Sequence, residues 1–294
     1  MKHAILGTGA VGGLIGTVLA SLGEDVTVVV RPEKLASYPA NLVLERPSGS
    51  LAAPAKAVAA LTEPVDVLWI ATKTYQLQSA LEAVKSLPGC VVPLLNGVDH
   101  VAVLRTRFGP EHVVPGTITV EAERIAPGRF IQRSPFVRFN LAASGERLFG
   151  AIVARLGELG FTCKFIRNEA TLLWGKLGFL GPIALVTSAS GMNVGEIVAD
   201  AGWKSKLSSA LAEACAVANA SGAEIDPAQI QALFDSSPPG IRSSMQKDVA
   251  AGRQLELDAI GGPILRGGER YGIGVATTAE LMAAIRAKVG AQRL

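Results

Sequence analysis

Three groups of residues in this 294-residue chain have types and spacings that could do chemistry. The first is Gly7-Thr8-Gly9-Ala10-Val11-Gly12. A G-x-G-x-x-G run set between a short apolar strand and a small-residue helix binds the pyrophosphate of a dinucleotide. Gly7 allows the tight turn, Gly9 lets the backbone approach the phosphates, and Gly12 lets helix and strand pack closely. The phosphates then rest on N–H groups at a helix N-terminus, where the dipole favours an anion. Thr8, Ala10 and Val11 complete the turn. The second is Arg31, directly after the β-branched run Asp25–Val30. An acidic side chain at that place reads a ribose 2′-hydroxyl. A guanidinium instead offers a fork of donors to a 2′-phosphate, which points to NADP(H) rather than NAD(H). A solvated loop arginine before Pro32 is the plainer alternative.

The third group centres on Lys176, the only charge between Ala170 and Thr187. On a helix its neighbours one turn away are Leu172 and Leu180. An ammonium in that apolar face is costly unless it finds partners or gives up its proton. Desolvation lowers its pKa and makes it a usable general acid; a snorkelling lysine whose stem covers apolar surface would look the same. Glu256, between Leu255 and Leu257, is the candidate counter-charge, though exposed helix carboxylates are common. Lys73 and Asn96-Gly97 follow two buried-strand segments, and ligands of open parallel sheets bind beyond strand carboxyl ends. Lys73 could contact adenosine or phosphate, and Asn96 nicotinamide or substrate; an ordinary loop lysine and turn asparagine are the alternatives.

The elements that must position these groups are legible from hydrophobic periodicity. Strands are expected at 2–6, 25–30, 65–71, 90–95, 113–120 and 162–166, with short ones near 41–45 and 51–55. Helices are expected at 10–22, 77–86 and 146–159, and antiparallel strands over 129–141. From Asn168 the texture changes to long Ala/Leu-rich helical segments: 169–188, 194–200, 203–221, 227–235, 244–252, 257–271 and 277–289. Strands followed by runs of helices suggest separate domains. The expected class is α/β: a Rossmann-type dinucleotide-binding domain over 1–167 followed by an all-α domain over 168–294.

Composition excludes several alternatives. A net charge of +3 without a basic run gives no nucleic-acid footprint. Three cysteines, odd in number and without C-x-x-C spacing, fit a reducing cytoplasm and no disulfide or zinc framework. The histidines His3, His100 and His112 form no ligand cluster. A mean hydropathy of +0.35 raises the question of membrane segments at 4–23 and 170–187. Fingerprint glycines in the first, and Lys176, glycines and Pro182 in the second, make buried soluble structure the better reading of both. No membrane partner is expected. Alanine-rich helices in the second half could build a homodimer interface or pack internally.

Taken together, the chain resembles the ketopantoate reductase (2-dehydropantoate 2-reductase) family over nearly its whole length. The marks are Gly7-x-Gly9-x-x-Gly12, Arg31, Lys73-x-Tyr75-Gln76, Asn96-Gly97, Pro115-Gly116-Thr117, Trp174-x-Lys176-Leu177, Val194-Gly195-Glu196, Ser243-Ser244-Met245-x-x-Asp248 and Glu256-x-Asp258-x-Ile260-x-Gly262. The resemblance implies NADPH-dependent reduction of a 2-keto acid to a 2-hydroxy acid, with ketopantoate and pantothenate biosynthesis as the expected setting. It implies that Lys176 protonates the carbonyl oxygen, Glu256 engages the substrate hydroxyl and Ser244 holds the substrate carboxylate. It also implies that Arg31 and Lys73 serve the 2′-phosphate and that Asn96 serves cofactor and substrate. The chain departs from the family at Leu180, Ala184 and Gly261, where asparagine is usual. An apolar Leu180 would suit a keto acid lacking a hydroxyl arm. A reductase for such an acid, and a non-catalytic NADP(H)-binding sensor, are the alternative functions; the presence of both Lys176 and Glu256 argues against the sensor.

Overall fold

The computed structural model describes residues 1–290; the last four positions of the expected second domain, 291–294, lie outside the described residues. Two compact units divide the chain. One comprises Met1–Leu95 and His100–Arg167; the other comprises Asn96–Asp99 and the chain from Asn168 onward.

The first unit runs β1 (Lys2–Leu6), α1 (Ala10–Ser21), β2 (Asp25–Val29), α2 (Pro32–Leu35), β3 (Asn41–Arg46), β4 (Gly49–Pro54) and β5 (Lys56–Val58). It continues through β6 (Val67–Ile70), α3 (Leu77–Leu81), β7 (Cys90–Pro93), α4 (His100–Phe108), β8 (Gly116–Thr119) and β9 (Ala122–Ala126). It ends with β10 (Arg129–Gln132), β11 (Val137–Ala142), α5 (Glu146–Glu158) and β12 (Phe161–Ile166). The principal sheet has the order β5-β2-β1-β6-β7 and is parallel throughout. β6 and β7 are wholly buried apolar runs, as strands covered on both faces must be. The order reverses between β1 and β6, the place where doubly wound sheets bind their ligands.

A second sheet, β4-β3-β10-β9, lies across α1 from the first. That double covering is why α1 is buried from Gly12 to Ala20 and shows almost no polar face. Gly13 is required there: a Cβ would stand 2.0 Å from the Phe130 ring of β10.

Several elements differ from the sequence expectation, and α2, β5 and β9 have no expected counterpart at all. The antiparallel strands expected over 129–141 form as β10 and β11, but in different sheets, antiparallel to β9 and β8 respectively. β10 pairs with β9 and β3, whereas β11 joins β8 and β12 in a third sheet. Alternation tells a strand its faces, not its partner. The helix expected over 77–86 stops at Leu81, because Val84 and Lys85 turn to pair with Leu61. α4 has no counterpart among the expected helices, although Val101, Leu104 and Phe108 carry its buried stripe.

The second unit is helical: α6 (Glu169–Ser190), α7 (Val194–Ala199), α8 (Ala201–Ala220), α9 (Pro227–Asp235), α10 (Ser244–Ala250), α11 (Leu257–Tyr271) and α12 (Ala276–Val289). α6 is the hub, packed by all six other helices. The Asn168 side chain caps its start, accepting from Thr171 N–H, and Gly191 ends it in the left-handed region at φ 83°. By length and composition α6 alone among the described residues could cross a membrane, yet from Gly181 to Ser188 it is wholly buried among its neighbours. The three cysteines are free, and the described residues contain no cluster able to hold a metal.

Candidate active site

In the first unit the glycine turn sits at the carboxyl end of β1, beside that of β6. Gly7 takes φ +99°, and a Cβ there would lie 2.7 Å from the backbone of Ala71 and Thr72. A Cβ on Gly12 would meet the Gly7 carbonyl oxygen at 2.1 Å. Gly9 differs: a Cβ would meet nothing within 4 Å. Two glycines therefore serve close packing, and the middle one leaves open space in front of the turn. Gly9 is the N-cap of α1 and offers no side-chain cap, so the first-turn N–H groups, including those of Ala10 and Val11, have no side-chain acceptor. This is the backbone arrangement that accepts a phosphate.

Arg31 follows β2 as the N-cap of α2; it is exposed, and its guanidinium has no bonded partner among the described residues. Lys73 is half-buried just after β6, ahead of a single 3₁₀ turn at Thr74–Gln76. Sequence reasoning missed Arg124. Its guanidinium, on β9, donates to the Thr8 carbonyl at 3.4 Å, placing a cation on the glycine turn. Nothing in the primary structure marks it, because β9 reaches the turn only through the second sheet.

In the second unit the structure joins Lys176, Asn96 and Glu256. Lys176 Nζ donates to Asn96 Oδ1 at 3.0 Å, and Asn96 Nδ2 donates to Glu256 Oε2 at 3.1 Å. The amide must face this way, since only its oxygen can accept from an ammonium and only its nitrogen can donate to a carboxylate. Lys176 comes from the middle of α6, and Glu256 is the buried residue before α11.

Asn96 is held by its own segment. Gly97 takes φ +82°, and a Cβ there would lie 2.3 Å from the Ala259 carbonyl oxygen, so only glycine lets the segment lie against α11. Asp99 accepts from Arg266 at 2.5 Å, and Arg266 also donates to Asp258 at 2.9 Å. Burial lowers the Lys176 pKa to about 8, while the Glu256 charge works in the opposite direction. A lysine so placed exchanges its proton near neutral pH.

Ser244 is not part of this chain. It is exposed on the first turn of α10 and makes no side-chain hydrogen bond among the described residues. Its neighbour Ser243 is structural: the hydroxyl caps α10 by accepting from Gln246 N–H at 3.0 Å and pairs with Thr187 Oγ1 at 2.8 Å. Leu180, one turn beyond Lys176, is half-buried, and Ala184, two turns beyond, is 1% exposed. Gly261 packs under α12, where a Cβ would meet Met282 Sδ at 2.4 Å, so the residues present leave no room for a larger side chain.

The chain matches the family model described as ketopantoate reductase PanE/ApbA over residues 3–144, and the corresponding C-terminal model over 169–289. It is 33% identical to a 2-dehydropantoate 2-reductase of Caulobacter vibrioides, across 97% of this chain and 98% of that one. Among solved structures it is similar to a PanE/ApbA family ketopantoate reductase from Ralstonia eutropha, with a TM-score of 0.85, 27% identity and 98% of both chains covered. It is also similar to a D-mandelate dehydrogenase solved with NADH, with a TM-score of 0.81, 25% identity, 98% of this chain and 99% of that chain covered. With a doubly wound nucleotide-binding sheet, a helical second unit and matches spanning both, the chain belongs to the ketopantoate reductase family, oxidoreductases that act on a CH–OH group with a nicotinamide dinucleotide.

Proposed function

We propose that this protein is a cytoplasmic NADPH-dependent reductase of 2-keto acids, with Lys176 as the general acid and ketopantoate as the substrate. The observation that carries the reading is the hydrogen-bonded chain from Lys176 through Asn96 to Glu256, around an ammonium with a pKa lowered to about 8. The residues of the first unit fit the cofactor: the open space before Gly9 and the uncapped first turn of α1 suit a pyrophosphate, and Arg31 and Lys73 suit a 2′-phosphate. When bound, the cofactor supplies the hydride.

The protein's own residues handle the proton and the geometry. Reduction of a carbonyl builds negative charge on its oxygen, and Lys176 both stabilises that charge and delivers the proton. Asn96 fixes the lysine by accepting from it, which spares the reaction a search over side-chain rotamers. Glu256 opposes the lowering by burial, so the amine stays mostly protonated at neutral pH, and engages the substrate hydroxyl. Ser244 receives the substrate carboxylate.

A second reading has its own support. Leu180 and Ala184 place apolar groups one and two turns along α6 from Lys176, and the D-mandelate dehydrogenase among similar structures is named for an apolar 2-hydroxy acid. A keto acid with a branched or aromatic side chain and no hydroxyl would leave no polar group unsatisfied there.

Steady-state NADPH oxidation with a panel of 2-keto acids separates the readings. Lys176→Ala should cut turnover by orders of magnitude while leaving NADPH affinity near normal; unchanged turnover removes Lys176 from the mechanism. Tight NADPH binding without turnover of any acid would leave only a sensor.

A further inference from the structure

Arg124 owes its place to an irregularity in the second sheet. β9 and β10 pair antiparallel, with Ala126 opposite Arg129. The next pairs are Arg124 with Phe130, Glu123 with Ile131 and Ala122 with Gln132. Ile125 is skipped: two residues of β9 advance for one of β10, which is a β-bulge.

The bulge decides which face of β9 carries the cation. Residues directly opposite in an antiparallel pair point to the same side of the sheet. Phe130 and Gln132 are buried, and the Phe130 ring lies against Gly13 of α1. Arg124 therefore stands on the face that covers α1, at the end where its guanidinium reaches the Thr8 carbonyl. In an unbroken register Ile125 would oppose Phe130 on that face and Arg124 would turn outward, because a one-residue slip exchanges the two faces of a strand. The observed arrangement is the reverse of what burial favours. The isoleucine is 45% exposed, and the guanidinium takes the side of the glycine turn. Bulges that re-aim a side chain in this way are common beside active sites.

Arg124 is also uncommitted. It has no ion pair among the described residues, and one of its N–H donors is used, on Thr8. The adjacent Glu123 belongs to the opposite face and is bridged to Arg133 at 2.6 Å. The hairpin itself is pinned, since Val43 N–H donates to the Gly128 carbonyl at 2.8 Å. A planar fork of donors held on a fixed hairpin matches a pair of phosphoryl oxygens.

We propose that Arg124 is a pyrophosphate-binding residue of the nicotinamide dinucleotide site, aimed by the β9 bulge at the anion seated on the glycine turn. Its role is distinct from that of Arg31. Arg124 reads the phosphate bridge that both coenzymes share, and Arg31 the 2′-phosphate that only NADP(H) carries. The assignment rests on the cofactor reading and is independent of the keto acid and of Lys176.

Binding titrations on the full chain with NADPH, ADP-ribose and 2′-AMP, followed by nucleotide fluorescence and calorimetry, test this. ADP-ribose has the pyrophosphate without the 2′-phosphate; 2′-AMP has the 2′-phosphate without a 5′-phosphate. Arg124→Ala should weaken NADPH and ADP-ribose at least tenfold, leave 2′-AMP within twofold and leave Tm unchanged, because the side chain is exposed. Arg124→Lys, a point charge without the fork, should recover part of the loss. Exchanging the two residues, Arg124→Ile with Ile125→Arg, keeps composition and net charge but moves the cation to the outer face. It should weaken NADPH as much as Arg124→Ala does. Retained affinity in the exchange variant, unchanged NADPH affinity in Arg124→Ala, or an equal loss of 2′-AMP would overturn the assignment. A wild-type protein that binds none of the three nucleotides would instead overturn the cofactor reading, and this assignment with it, so the two failures are distinguishable.

Discussion

The pH dependence of reduction tests the proposed acid through its partner. Lys176 must be protonated to act, and its pKa is lowered from 10.5 to about 8. The value of kcat/KM for keto acid reduction should therefore be flat below pH 7 and fall tenfold per pH unit above about 8. Glu256 opposes the lowering, so Glu256→Gln should move this limb to lower pH.

The size of the movement follows from the geometry. Hydrogen bonds of 3.0 and 3.1 Å with one amide between them place the two charges about 7 Å apart. At an effective dielectric of about 20 that is about 2.4 kcal/mol, or about 1.7 pH units. The limb should then fall near about pH 6.3, and the protonated fraction at pH 7.5 should drop about tenfold. Loss of a substrate contact would scale the whole profile and leave the limb in place, so its position is the readout. Initial rates at saturating NADPH between pH 5.5 and 9.5 suffice. A Glu256→Gln profile whose limb stays near pH 8, or moves upward, would refute the electrostatic link between these residues.

Arg31→Ala should weaken NADPH binding far more than NADH binding, whereas Arg124→Ala, which removes the cation from the glycine turn itself, should weaken both alike; fluorescence titration of each nucleotide separates them. Leu180→Asn with Ala184→Asn should raise the kcat/KM ratio of ketopantoate over 2-ketoisovalerate by about tenfold or more, the worth of one or two buried hydrogen bonds. Gly13→Ala should cost about 1–3 kcal/mol, seen as a fall of several degrees in Tm, because its Cβ enters the Phe130 ring. Gly9→Ala, which meets no atom of the protein, should leave Tm unchanged and weaken nucleotide binding instead.

Much of the fold was legible because its signals are local. The β1–turn–α1 unit needs only an apolar run, a glycine able to take φ +99° and small residues beyond, and all three are contiguous. The helices of the second unit declare themselves by periodicity. Lys176 could be singled out as the only charge between Ala170 and Thr187, since burying an ammonium without purpose is expensive.

Partnership could not be read the same way. Nothing near Lys176 in the chain names Asn96, 80 residues away, as its acceptor, nor Glu256 as the far end of the same chain of hydrogen bonds. Asn96 stands there because Gly97 can lie against the Ala259 carbonyl and because Arg266 holds Asp99; both are long-range contacts without sequence periodicity. Arg124 reaches the glycine turn only because a second sheet covers α1. Backbone propensity and apolar spacing specify which elements form. Which polar atoms satisfy one another is decided only when those elements pack, because hydrogen bonds and charges act over a few ångströms in space, whatever their separation along the chain.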